Sequence, residues 1–236
     1  MKQLKTEVVY GTGIGTRGVV GKVHFLHTSG QVEEKDGRGI EEERARLSVA
    51  IERARQSVLN LQKTAEEDIG AEAAEIFAIH AMLLSDADLL ERIEEGILQN
   101  LSCEAAVREA GEAFSLELLA LEDPYLRARA TDIKDVCAQL LSHLSGESEA
   151  TEGTPREAYI LVSRDLTPSQ TVGLDRDLLL GFVTFEGSPN SHTAILARAM
   201  GIPALVCAGK ISEIHEGKTA LLDAAAGSLT LSPSEE

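Results

Sequence analysis

The amino-acid sequence predicts an α/β domain built from both ends of the chain, with an all-α bundle inserted between them. Three observations carry that expectation. Short apolar runs punctuated by glycines fill residues 7–27 and recur from Ala158 onward, the pattern of strands and tight turns. Between them, residues 40–145 repeat apolar positions every three or four residues, the period of helices with one buried stripe. Polar stretches at 28–39 and 147–156 separate the two patterns. The first strands need partners and the C-terminal part is their host, so the expected domains are 1–33 with 147–236, and 34–146.

Each element has its own signal. Val8-Val9-Tyr10 reads as a strand, Gly11, Gly13, Gly15 and Gly18 as a turn, and Val19–Leu26 as a second strand. Leu47, Ile51, Ala54, Val58, Leu61 and Ala65 form the stripe of a first helix, and Ile76, Phe77, Ile79, His80, Leu83 and Leu84 that of a second. Ser85 is read as the cap of a helix carrying Leu89, Leu90, Ile93 and Ile97. Ser102 caps one carrying Ala106, Val107, Ala110, Phe114 and Leu118. Asp123-Pro124 opens a last helix with Ala130, Ile133, Val136, Cys137 and Leu140 on its stripe, stopped by Gly146. Beyond it, Tyr159–Val162, Leu178–Val183, Pro203–Val206, Thr219–Asp223 and Ser228–Leu231 read as strands. Helix-like stretches at Ser169–Val172 and Ser191–Met200 fall between them.

Composition removes several function classes. With 236 residues and 43% hydrophobic content the chain affords a real core. A net charge of −17 argues against nucleic acid or an anionic membrane as partner and for a basic one. That charge is concentrated: residues 66–123 hold sixteen acids and two bases, a net −14. Aromatics are 3% with no Trp, so no stacking platform for bases is expected. The three cysteines, Cys103, Cys137 and Cys207, form no CxxC pair, and no apolar run approaches the ~20 residues of a membrane span. No secretory signal opens the chain, and a cytoplasmic location is expected.

One segment carries chemistry. In Phe185-Glu-Gly-Ser-Pro-Asn-Ser-His192-Thr, a Gly/Ser/Pro/Asn loop runs into a histidine and then into an amphipathic helix ending at Gly201-Ile202-Pro203. His192 therefore falls in a first helical turn, beside free backbone N–H groups. That environment disfavours the imidazolium and keeps the ring nucleophilic. It also suits a dianion attached to the ring, with the hydroxyls of Ser188, Ser191 and Thr193 nearby. On the residues alone the same pattern is more commonly a loop with an N-cap and an ordinary histidine.

Residues 185–206 resemble the active-site histidine segment of the enzyme I family, the phosphoenolpyruvate–protein phosphotransferases of the bacterial sugar phosphotransferase system. The shared elements are Ser191-His192-Thr193, Ala197-Arg198 and Ile202-Pro203-Ala204. Asp165-Leu-Thr-Pro-Ser169, His80-Ala-Met-Leu-Leu84 and Tyr125-Leu-Arg-Ala-Arg-Ala-Thr-Asp132 resemble further family segments, so the likeness runs along nearly the whole chain. It implies a swivelling phosphohistidine α/β domain formed by both chain ends, with an inserted bundle of paired helical hairpins that docks HPr, a small phosphocarrier protein with a basic contact surface.

The resemblance also implies roles. His192 accepts the phosphoryl group, on Nε2 in the family, and Thr167 orients the ring or meets phosphoryl oxygens, reading equally as a turn residue before Pro168. Ser191 and Thr193 contact the phosphate or cap the helix, and Arg198 is structural or a charge between substrates. Glu72, His80, Met82, Leu83, Asp86, Asp88, Leu89, Leu118 and Arg129 fall at docking positions, with His80, Met82 and Leu83 reading equally as bundle residues. Two departures stand out: Gly187-Ser188-Pro189-Asn190 replaces a loop with paired glycines, and Ala73 replaces a lysine. The family enzyme continues into a C-terminal barrel that binds phosphoenolpyruvate and Mg²⁺ and forms the dimer. This chain is therefore expected to be a monomeric N-terminal part that needs no metal or cofactor and exchanges phosphate with HPr. The alternatives are a swivelling domain of a phosphoenolpyruvate synthase or pyruvate phosphate dikinase, and a helical scaffold whose α/β part is only structural.

Overall fold

The computed structural model describes residues 7–26, 37–145, 155, 157–189 and 191–231. Most of the stretches at 28–39 and 147–156, and the last five residues, lie outside these. The chain divides into two units, one of residues 1–29 and 153–236 and one of residues 30–152.

The second unit is helical: α1 (Ile40–Asp68), α2 (Ala71–Leu83), α3 (Ala87–Leu98), α4 (Cys103–Ala120) and α5 (Pro124–Ser145). Each buries one stripe. Leu47, Ala50, Ala54, Val58 and Ala65 face inward from α1, and Leu89, Ile93 and Ile97 from α3. Successive helices pack as hairpins, α1 on α2, α3 on α4 and α4 on α5, and α1 also meets α5. Ser102 accepts a hydrogen bond from Ala105 N (3.3 Å) and Asp123 one from Tyr125 N (2.8 Å), so both cap where their sequence signals fall. The cap of α3 is Asp86 rather than Ser85, its carboxylate accepting from Leu89 N at 3.0 Å. Ser85 N donates to Met82 O at 2.9 Å and so belongs to the end of α2. An anionic cap also complements the positive end of the helix dipole.

The first unit is an eight-stranded sheet of β1 (Glu7–Tyr10), β2 (Thr12–Ile14), β3 (Gly18–Phe25), β4 (Tyr159–Ser163), β5 (Leu179–Thr184), β6 (Ala204–Val206), β7 (Thr219–Asp223) and β8 (Ser228–Leu231). Its order is β1-β8-β7-β3-β4-β5-β6-β2. The run β3-β4-β5-β6 is parallel and every other pairing antiparallel. Helices α6 (Pro168–Gly173) and α7 (His192–Met200) make the β4–β5 and β5–β6 crossovers. All five residues of β4 are buried, as a central parallel strand covered on both faces requires.

The two edge strands reveal how the sheet closes. Laid flat, eight strands would separate β1 from β2 by about 34 Å at ~4.8 Å per strand. Yet Gly11 alone joins them. The sheet therefore rolls until both edges meet one continuous segment, with Gly11 N bonded to Gly227 O (3.0 Å) and Gly209 N to Tyr10 O (3.2 Å). The inside of the roll packs Val9, Val23, Phe25, Ile160, Val162, Val183, Leu205, Leu222 and Leu229. The outside of its parallel part packs Tyr159, Leu161 and Phe182 against Leu166, Ala194 and Ala197 from the α6 and α7 regions. The glycines at 11–18, read from sequence as a turn, thus include a strand. A Cβ on Gly13 would lie 1.8 Å from Ala224 O, so this residue serves close backbone approach.

Candidate active site

Parallel neighbours β4 and β5 send their next turns out from the same end of the sheet, the carboxyl end of the strands, where parallel α/β sheets bind ligands. The turn after β4 leads through Arg164–Leu166 into α6, and the turn after β5 leads into α7. Backbone bonds join the two turns at their base: Phe185 N to Ser163 O (3.2 Å) and Glu186 N to Arg164 O (2.8 Å). The Arg164 guanidinium reinforces this through Glu186, at 2.8 Å.

His192 is the first residue of α7 and is half-buried. Ser191 is the N-cap, its hydroxyl accepting from Ala194 N at 3.3 Å. Thr193 neither caps nor sits at the surface. It is 5% exposed, and its hydroxyl donates to Leu166 O at 2.5 Å, tying the first turn of α7 to the Leu166-Thr167 turn. Thr167 is the N-cap of α6 in a reciprocal capping box: Oγ1 accepts from Gln170 N (3.2 Å) and Gln170 Oε1 accepts from Thr167 N (3.0 Å). The Thr-x-x-Gln spacing announces this box, and the sequence reading missed it. The cap uses an acceptor lone pair of Oγ1, not its proton. Arg198 is exposed, about 9 Å along the helix axis from His192 at 1.5 Å per residue.

Two residues of the loop environment take left-handed backbone conformations. Gly187 has φ +104°, a left-handed conformation that favours glycine. Its carbonyl accepts a hydrogen bond from the exposed Cys207 thiol at 3.0 Å, and Cys207 itself has φ +52°. Among the described residues no group of three or more His, Cys, Asp or Glu is arranged to hold a metal ion. No helix among them is long and apolar enough to cross a membrane.

The residues assigned to docking separate by burial. Glu72, Met82 and Asp88 are exposed, Met82 at 72%. Leu83, Asp86, Leu118 and Arg129 are half-buried. Arg129 is held by Asp132 (2.9 Å) and by the Tyr125 hydroxyl, with its guanidinium 4.5 Å from the Tyr125 ring centroid. His80 and Leu89 are interior residues, both 0% exposed, as their helix stripes predict and contrary to the docking positions that the resemblance implies. The reason is helical phase. His80 shares the inward stripe of α2 with Ile76 and Phe77, and its ring lies 3.6–3.7 Å from Asp135 and Asp132 of α5. Further apolar side chains stand exposed toward the end of α4 and the start of α5: Leu116, Leu119, Leu121 and Tyr125.

Comparison with known proteins agrees with this architecture. The family profile described as PEP-utilising enzyme, N-terminal, matches residues 10–129, and that described as PEP-utilising enzyme, mobile domain, matches residues 155–227. The chain is 36% identical over 231 residues to the multiphosphoryl transfer protein of Xanthomonas campestris pv. campestris, covering 96% of this chain and 27% of that protein. It is 35% identical over 207 residues to the phosphoenolpyruvate-protein phosphotransferase of Priestia megaterium, covering 87% and 36%. It thus spans between a quarter and two fifths of the length of these relatives. The solution structure of the enzyme I protein nEIt superposes with a TM-score of 0.74 at 31% identity, covering 96% of this chain and 94% of that one. The N-terminal domain of the nitrogen enzyme 1 does so at 0.67 and 28%, with the same coverage. Across both units, in sequence and in fold, the chain belongs to the PEP-utilising enzyme family as an enzyme I N-terminal domain.

Proposed function

We propose that the α/β unit carries a phosphoryl group on His192 and exchanges it with the histidine of HPr, which docks on the helical unit. The observation that carries this is the placement of His192 as the half-buried first residue of α7, at the carboxyl ends of parallel strands. There the positive end of the helix dipole favours an anion, and a neutral ring offers a lone pair. In the transfer, a ring nitrogen of His192 attacks the phosphorus in line. The P–N bond to the HPr histidine breaks, and its electron pair returns to that ring. The Thr167 hydroxyl orients the imidazole, and catalysis is positioning and charge stabilisation with no metal of this domain's own.

The acidic helices support the choice of partner. Exposed Glu72 lies in the first turn of α2, exposed Met82 near its end and exposed Asp88 in the first turn of α3, and exposed Leu116, Leu119 and Tyr125 neighbour Glu117, Glu122 and Asp123 in the chain. Such apolar anchors with an acidic rim fit a basic carrier surface. In the full-length cytoplasmic enzyme the donor to His192 is phosphoenolpyruvate bound to a further domain, and that enzyme is a homodimer. The test mixes the chain with HPr and follows amide shifts of both proteins. Perturbations centred on Met82 and Asp88 are expected, and the absence of any shift change in either protein would reject the reading.

A further inference from the structure

Thr193 is chemically misplaced for a phosphate ligand. Its hydroxyl has one proton, and that proton goes to Leu166 O at 2.5 Å inside a region where Leu166 is 1% and Thr193 5% exposed. A phosphoryl group could claim it only by breaking this buried bond. The bond also runs against local habit. A helical threonine commonly returns its hydroxyl to a carbonyl three or four residues back, whereas this one reaches a carbonyl 27 residues away on another turn.

What the bond joins explains it. Leu166 immediately precedes Thr167, and Thr193 immediately follows His192. Thr167 is already locked to its own helix by the capping box and by Thr171 Oγ1, which donates to Thr167 O at 2.8 Å. His192 is locked to α7 by the Ser191 cap. The ties between the two turns at Ser163–Phe185 and Arg164–Glu186 lie at the sheet end, before either functional residue. The Thr193–Leu166 bond is a side-chain link beyond them, one residue from each.

We propose that Thr193 is a positioning residue: its buried hydroxyl holds the Thr167 turn against the first turn of α7 and so sets how the Thr167 hydroxyl meets the His192 ring. The proposal rests on the phosphohistidine reading above and adds to it a role that reaches the phosphoryl group only through Thr167. It predicts an effect on the resting enzyme, which a phosphate ligand would not have.

The test compares wild type, Thr193→Val and Thr193→Ser by the ¹⁵N shifts of the His192 ring without phosphate and by the rate of phosphoryl uptake from phosphorylated HPr. Thr193→Val should move the resting ring shifts and slow uptake about 10- to 100-fold, as small misplacements do. Thr193→Ser should restore both. Ring shifts and rate unchanged in a folded Thr193→Val would overturn the proposal. A wild type that takes up no phosphate on His192 would instead overturn the underlying reading. Should Thr193→Val not fold, the wild type decides alone. Its Thr193 hydroxyl proton should stay slowly exchanging and coupled to the Leu166 carbonyl after phosphorylation, and transfer of that bond to the phosphoryl group would refute the positioning role.

Discussion

Glu43 and Cys103, sixty residues apart, are bonded twice, with Cys103 the donor each time: its N–H donates to the Glu43 carboxylate at 3.1 Å and its thiol to the Glu43 carbonyl at 2.8 Å. One acid at the start of α1 thus satisfies an orphan N–H at the start of α4. Burial pushes the carboxyl upward, but the Arg38 N–H, the Cys103 thiol and N–H and the Arg46 guanidinium outweigh it and hold the group down at about 2. A carboxylate lowered in the folded state stabilises above its ordinary value of 4.5, and that stabilisation is lost as pH falls toward 2. Urea unfolding should show the helical unit losing about 2–3 kcal/mol over this window. Glu43→Gln should start lower and lose less, and parallel curves would refute the account.

Where α4 crosses α5, Gly111 faces Cys137, and a Cβ on the glycine would lie 2.6 Å from the sulfur. Gly111→Ala should therefore destabilise despite the ~1 kcal/mol a mid-helix alanine gains, since overpacking costs about 1–3 kcal/mol. Adding Cys137→Ala should recover most of the loss. A thermal midpoint raised by Gly111→Ala alone would show that the helices have room to part.

Thiol chemistry should single out the loop behind His192. Burial, with Glu43 also acting on the first, pushes Cys103 and Cys137 up to about 12, whereas Cys207 is exposed. A native titration with a thiol reagent should modify Cys207 and spare the two buried thiols. A bulky adduct also removes the bond to Gly187 O, so it should slow phosphoryl transfer while Cys207→Ser does not. Modification of all three thiols at equal rates would contradict the burial pattern.

The acidic surface should govern encounter more than stability. Glu72→Lys and Asp88→Lys, both at exposed sites, should each lower the HPr association rate about 2- to 10-fold at low salt, the effect shrinking as salt rises. Their melting points should stay near wild type. Unchanged association kinetics would place the carrier elsewhere.

Helix stripes were legible because burial follows phase: Leu47, Ala54 and Val58, or Leu89, Ile93 and Ile97, repeat as the helix turns. The same logic puts His80 on the buried stripe of α2, where the structure has it, and the motif likeness alone pointed it to the surface. The strand Thr12–Ile14 escaped notice because its glycine serves a close approach to Ala224, a contact made only when the sheet rolls. Ser85 and Asp86 are both good caps, and only the exit from α2 decides between them. At the site, the loop and His192 at a helix start were readable. The Thr193–Leu166 bond was not, because it joins residues distant in sequence and has no periodicity.

The central claim is tested most directly by incubating the chain with phosphorylated HPr and locating the phosphate. An acid-labile, alkali-stable phosphate on His192, returned to HPr on reversal and missing from His192→Ala, is the expected result. A phosphate that persists in His192→Ala, or none on the wild type, would contradict the account.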